Sequence, residues 1–230
     1  MLFNSYIFIF VFLPITFAGF WSFGRTLGRG PAIMWLAVCS LVYYSYWNPV
    51  YIFLIASSMV FNFSVGYVIG KAAERGAARK AWTALGVAGN LALLGYFKYA
   101  NFFVDSFNML FDSSAHLAPI VLPLAISFFT FQQIAYIVDA YKGLTHEYSF
   151  RDYALFVTFF PQLIAGPIVH HKQMMPQFSD RAIRTFAYSD LAAGFTMFSM
   201  GLFKKVLIAD SIARYANPSF DALLSGNAVS

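Results

Sequence analysis

Apolar residues fill this chain in long blocks, with polar positions gathered between them, and the block lengths carry the first structural reading. Residues 1–24, 31–70, 81–97, 113–138 and 153–171 contain no Asp, Glu, Lys or Arg. A bilayer-spanning helix needs about 20 mostly apolar residues, so the pattern predicts an all-α membrane protein, a multipass helical bundle. Helix one is expected over 3–23. The second block is too long for one span, and Asn48-Pro49 inside it is a turn signal, which gives helices near 32–47 and 50–70. A fourth span is expected over 81–97, ending at Lys98.

The pattern then changes. In 99–112, Asn101, Asp105, Asn108 and Asp112 recur at helical spacing while Tyr99, Phe103, Phe107 and Leu110 mark another face. That periodicity predicts a separate amphipathic helix, lying in the interface or against the bundle. The apolar block over 119–143 carries a slowly drifting polar stripe, Ser127, Thr130, Gln133 and Tyr136. Such side chains bond a neighbouring membrane helix or line a substrate path. Ser127, Thr130, Gln133 and the later Gln162 are the candidate cavity-lining residues. A last apolar run covers about 186–203, with Asp190 near its start, where an acid suits the helix dipole. It is expected to end at Lys204-Lys205, before a small, polar tail over 217–230. The reading is one transmembrane domain over 1–230, with about six to seven apolar segments.

The stretch "FFPQLIAGPIVHHKQMMPQF", residues 159–178, fits no simple span. Pro161 and Gly166-Pro167 break it, and backbone groups freed by a break survive at membrane depth only against protein or a wet cavity. Basic residues also lie on both sides: Lys142 and Arg151 before, Lys172, Arg181 and Arg184 after. A full crossing would put these on opposite faces of the membrane, so a broken or re-entrant segment is expected.

Composition sharpens the class. Hydrophobic residues are 60% of the chain and charged ones 11%, against roughly 25% charged in a soluble domain. The net charge of +5 fits loops beside anionic lipid, and no nucleic-acid partner is expected. Helix one lacks a basic n-region and is longer than a signal-peptide core, so its retention is expected. The single Cys39 lies inside an apolar block and reads as a packing residue. Arg25 and Arg29 follow helix one, and Lys71, Arg75, Arg79 and Lys80 follow helix three, whereas the Asn48-Pro49 turn has no basic residue. By the positive-inside rule both basic loops are cytoplasmic and the N-terminus is outside.

Candidate chemistry is sparse. His170 and His171 are the candidate catalytic residues, suited to proton transfer near neutral pH. The plainer reading of both is a polar, headgroup-facing loop beside Lys172. Adjacent histidines point apart on a helix, and no Cys or HExxH spacing completes a ligand set, so neither metal nor cofactor is expected. His116 and His146 fall in predicted loops. Asp139 sits at a helix end where solvation is easy.

Four blocks, "GYFKYANFF" (95–103), "LPLAISFFTFQQIAYIVDAYKG" (122–143), "YALFVTFFPQLIAGPIV" (153–169) and "GLFKKVLIAD" (201–210), resemble in order the membrane-bound O-acyltransferase family, and more narrowly its bacterial alginate O-acetyltransferase branch. The resemblance implies transfer of an acyl group to a hydroxyl of an exported polysaccharide such as alginate. It also implies an acyl donor, a polysaccharide acceptor, membrane lipid and other polysaccharide-acetylation proteins as partners, and a histidine general base in a funnel. In the family that histidine follows a tryptophan in a later segment. None of His116, His146, His170 and His171 follows a tryptophan, so the catalytic histidine is expected beyond residue 230, and the chain alone is expected to be inactive. Members also carry an arginine soon after "AGPI", where this chain has Val169-His170-His171-Lys172. The rival readings are a multipass transporter or flippase, built on broken helices near the midplane, and a non-catalytic truncated subunit.

Overall fold

The computed structural model describes residues 1–72, 76–113, 116–144, 149–164, 166, 174–178 and 187–224. These residues are helical with irregular connections, in two compact units, one over 16–184 and the other combining 1–15 with 185–230. In chain order the helices are α1 Leu13–Thr26, preceded by a π-turn Phe8–Phe12, α2 Arg29–Ser45, α3 Tyr51–Lys71, α4 Ala77–Phe111, α5 Ile126–Tyr141, α6 Phe150–Thr158, α7 Phe160–Leu163, α8 Tyr188–Phe203 and α9 Asp210–Leu224. Among the described residues, three helices are long and apolar enough to cross a membrane by length and composition: Phe8–Thr26, Tyr51–Lys71 and Tyr188–Ala222.

The unit over 16–184 is built on α5, which packs against α3 and α4, while α2 packs against α6, α7 and α3. Two glycines set the close approaches. A Cβ on Gly66 of α3 would sit 2.5 Å from the Tyr136 ring, and one on Gly86 of α4 would sit 2.6 Å from Ile137 Cδ1. Small residues let membrane helices come together closely enough for side chains to hydrogen-bond across them. The core joins Ile33, Leu36, Tyr44, Ile55, Phe129, Ile137, Tyr153 and Phe156.

Several boundaries differ from the sequence reading, each for a local reason. The fourth span and the amphipathic segment are one 35-residue helix, α4. Lysine is a good helix former, so Lys98 marks a change of environment without stopping the helix. At 1.5 Å per residue α4 is about 52 Å long, well beyond the hydrocarbon thickness of about 30 Å. The polar face of its last turns meets the following segment, since the Asn101 amide donates to the residue 118 carbonyl and its Oδ1 accepts from Ile120 N. The block over 119–143 is helical only from Ile126. Pro119 and Pro123 lack the N–H groups that helix propagation needs, and Ala125 is left-handed at φ 57. The aromatic residues flanking the Asn48-Pro49 turn divide between surface and core. Tyr46 and Trp47 are exposed, but Tyr43 and Tyr44 are buried, and the Tyr44 and Tyr51 hydroxyls donate to the Leu124 and Val121 carbonyls.

In the other unit, Asp190 lies in the first turn of α8, as the dipole argument expects. Lys204 and Lys205 do not end that helix. The chain continues through a π-turn, Lys204–Ala209, into α9. Lys205 Nζ pairs with Asp210 Oδ1 five residues on, a spacing that a π-turn brings onto one face and an α-helix does not.

Candidate functional site

The candidate site forms around the interruption between α6 and α7. Ser149 opens α6, its side chain accepting from Asp152 N, the short polar N-cap that satisfies an otherwise unpaired first-turn N–H. The helix runs nine residues and stops at Phe159, whose backbone turns to φ −48, ψ 105. Pro161 is the cause. It has no N–H for the Val157 carbonyl, and its ring would strike that carbonyl in a continuous helix. The break therefore lies two residues before the proline, where the chain can restart with Pro161 in the first turn of α7, a position proline tolerates.

In an unbroken helix Phe160 N–H would donate to the Phe156 carbonyl. Here the two halves of that bond find partners on two other helices. Phe160 N donates to Ser40 Oγ of α2 at 3.2 Å, and Gln132 Nε2 of α5 donates to the Phe156 carbonyl at 2.8 Å. Ser40 also donates its own hydroxyl proton to the Leu36 carbonyl at 2.7 Å. Freed backbone groups thus face protein, as the sequence reading requires.

The two ends of the interrupted segment meet again. Arg29, the first residue of α2, donates from Nη1 to Asp152 Oδ2 at 2.9 Å and from Nε to the Phe178 carbonyl at 2.7 Å. The Phe159 and Phe178 rings pack edge to face with centroids 5.5 Å apart. A chain that leaves from and returns to one guanidinium has turned back on itself. Arg151 lies 3.9 Å from Asp152 Oδ1, so the return point carries two cations and one carboxylate.

Beside the break runs a buried polar network joining four helices. Gln133 Oε1 of α5 accepts from Ser58 Oγ of α3 at 3.1 Å, from Asn62 Nδ2 of α3, and from the Tyr153 hydroxyl of α6 at 3.4 Å. Asn62 and Asn90 of α4 form a reciprocal amide pair. Asn90 also donates to the Gly86 carbonyl at 2.7 Å. A groove of about 320 Å³ opens between α3 and α4, lined by Leu54, Ser57, Phe61, Gly89 and Leu93 together with Ser58 and Asn90 of the network.

The structure brings some of the expected residues together and separates others. Thr130 and Gln133 are fully enclosed on the inner face of α5, Gln162 is buried in α7, and Ser127 is half-buried. The stripe therefore bonds neighbouring helices at Gln133. Asp139, expected to be solvated, is only 8% exposed. Residues 140–144 turn back over the end of α5 at this point, with Leu144 N donating to the Asp139 carbonyl. Arg79 folds onto the same end, donating from Nη2 to the Ala140 carbonyl at 2.9 Å. His116 is exposed. His146, His170, His171 and Pro167 lie outside the described residues. Sequence reading missed Ser40, Gln132 and Arg29 as parts of this site. A serine inside a span and a glutamine beside Gln133 were the available signals.

Comparison with known proteins adds an independent line. The model of MBOAT, the membrane-bound O-acyltransferase family, matches residues 140–222. A peptidoglycan O-acetyltransferase of Helicobacter pylori is 42% identical, over 98% of this chain and 47% of its own length. A probable alginate O-acetylase AlgI of Pseudomonas aeruginosa is 41% identical, over 96% of this chain and 42% of its own length. Its counterpart in Azotobacter vinelandii is 40% identical, over 96% of this chain and 44% of its own length. The chain spans somewhat less than half the length of these curated relatives. No solved structure matches.

Proposed function

We propose that the chain is a member of the membrane-bound O-acyltransferase family, whose model it matches over 140–222, and that it forms part of an integral membrane enzyme that O-acetylates an exported or cell-wall polysaccharide. Similarity along nearly the whole chain to proteins named for acetylating peptidoglycan and alginate carries the reading. The interrupted segment supports it, because a wall of backbone turned inward and hydrogen-bonded to protein is what a substrate passage through a bilayer needs. The acyl donor and the polysaccharide hydroxyl are the two substrates, and other polysaccharide-acetylation proteins are the partners. A histidine serves as general base, within hydrogen-bond reach of the acceptor hydroxyl. We place it after a tryptophan, outside these residues, and give His170 and His171 no catalytic role.

The test is the acetyl content of the polysaccharide in cells carrying the complete gene product at matched membrane abundance. Deleting the gene is expected to remove the modification. The His170→Ala/His171→Ala double variant is expected to lower it only in part. Complete loss in that variant, with normal abundance, would move the catalytic base into the segment after Pro167.

Orientation is the second expectation. Arg25, Arg29, Lys71, Arg79, Lys142 and Arg151 gather at helix ends on one side of the antiparallel α1–α6 series, and the positive-inside rule makes that side cytoplasmic in the inner membrane, with the N-terminus outside. In a background with every native cysteine, Cys39 included, replaced, Arg25→Cys and Gln177→Cys are expected to react with an impermeant maleimide only in inverted vesicles, and Asn48→Cys only in intact cells. Reaction of the residue 177 thiol from the face that labels residue 48 would mean that the segment crosses.

A further inference from the structure

We propose that Ser40 and Gln132 are positioning residues of the acyltransferase, acting as a split substitute for one helical hydrogen bond and so fixing where the segment after α6 turns. The inference rests on the reading of the chain as part of an O-acyltransferase. Its physical basis is the pair of contacts at the break, Phe160 N to Ser40 Oγ and Gln132 Nε2 to the Phe156 carbonyl.

Pro161 explains why the helix cannot continue smoothly, but it does not say where the chain goes next. Proline removes only its own N–H and disturbs the carbonyl four residues earlier. The bond between Phe156 and Phe160 could survive beside it as a kink, as it does in many proline-bent helices. At this break the bond is open, and each half is held by a side chain from a different helix. Ser40 and Gln132 are both fully enclosed, so water is not a competing partner at either atom. The serine is also oriented from behind, because its hydroxyl proton goes to Leu36 and leaves an oxygen lone pair for Phe160.

The consequence is directional. With the bond open, Phe159 adopts its extended turn, its ring meets Phe178, and the chain comes back to Arg29. With the bond closed, the helix axis would carry Gln162 and the residues after it onward along α6. Ser40 and Gln132 therefore set the line of the passage wall without touching substrate themselves.

The experiment uses the complete gene product in its native membrane, and compares Ser40→Val with Ser40→Thr and Gln132→Leu with the unaltered protein. Valine and threonine have nearly the same shape, so the pair separates the oxygen from the volume. Two readouts are taken at matched abundance: acetyl content of the polysaccharide, and maleimide reactivity of Gln177→Cys in a background with every native cysteine, Cys39 included, replaced. Ser40→Thr is expected to keep both. Ser40→Val and Gln132→Leu are each expected to lower acetyl transfer about tenfold, the effect of leaving one buried polar group unpaired, and to lower residue 177 reactivity on the face where Arg25→Cys reacts. Where the valine variant does not accumulate, Ser40→Ala replaces it. Full retention of both readouts in Ser40→Val overturns the proposal, as does a loss in Ser40→Thr equal to that in Ser40→Val. If the unaltered gene product acetylates no polymer, the acyltransferase reading falls and the labelling arm alone decides the role of the two side chains.

Discussion

Arg29→Ala is expected to destabilise the folded bundle by about 3 kcal/mol, the usual cost of breaking a largely enclosed ion pair from one side. The Arg29 side chain is 24% exposed and that of Asp152 only 10%, so removing the guanidinium strands a carboxylate that water reaches poorly. Arg151 does not compensate, because its Nε stands 3.9 Å from Asp152 on the other carboxylate oxygen. The Phe178 carbonyl loses its donor in the same substitution. Arg29→Lys is expected to recover less than half of the loss, since a single ammonium cannot reproduce a planar fork whose Nε and Nη1 serve two acceptors. Asp152→Asn is expected to be milder than Arg29→Ala, because the bond to Phe178 survives it. Reversible unfolding in mixed detergent micelles measures all three. Equal midpoints for Arg29→Ala and the unaltered protein would show that neither contact holds the segment in place.

How far the sequence carried the fold can be judged from this same region. The interruption was visible because Pro161 lacks an N–H wherever the chain places it, and so were basic residues on both sides of it. The position of the break was not visible. It depends on which carbonyls and N–H groups find side-chain partners, and those partners lie 24 and 120 residues away in the chain. Arg29 illustrates the same limit. As a loop arginine it entered the sequence reading only as an orientation signal, yet its bonds run to residues 123 and 149 positions later. Local periodicity was reliable where side chains alone decide the environment, as along α3. It failed at Lys98 and at Lys204-Lys205, because a change from apolar to charged residues marks where a helix leaves one medium without obliging the backbone to stop. Family resemblance read from ordered blocks agreed with the match over 140–222, while the candidate histidines at 170 and 171 lie outside the described residues.

The network around Gln133 is expected to give the second large effect, and its pattern distinguishes structural glue from a loosely polar interior. Gln133 Oε1 accepts from three donors on two other helices. Gln133→Leu removes the acceptor of the Ser58 and Tyr153 hydroxyls and one of the acceptors of Asn62, and is expected to cost about 2 kcal/mol or more, since the penalty for a stranded buried group exceeds the net gain of making its bond. Asn62→Leu strands Asn90 Oδ1 and is expected to cost a similar amount. The reciprocal pair provides the sharper test. Removing both amides, in Asn62→Leu/Asn90→Leu, takes away the stranded partners as well as the bonds, so the double variant should be less damaging than the sum of the singles. Hydrogen bonds between membrane helices measured by such cycles average about 0.6 kcal/mol and reach about 1.7. A coupling of about 1 kcal/mol is therefore expected for two fully enclosed amides that bond each other in both directions. Additive losses, within about 0.3 kcal/mol, would mean that each asparagine finds other partners in the membrane and that α3 and α4 are held together by packing at Gly86 and Gly89 alone.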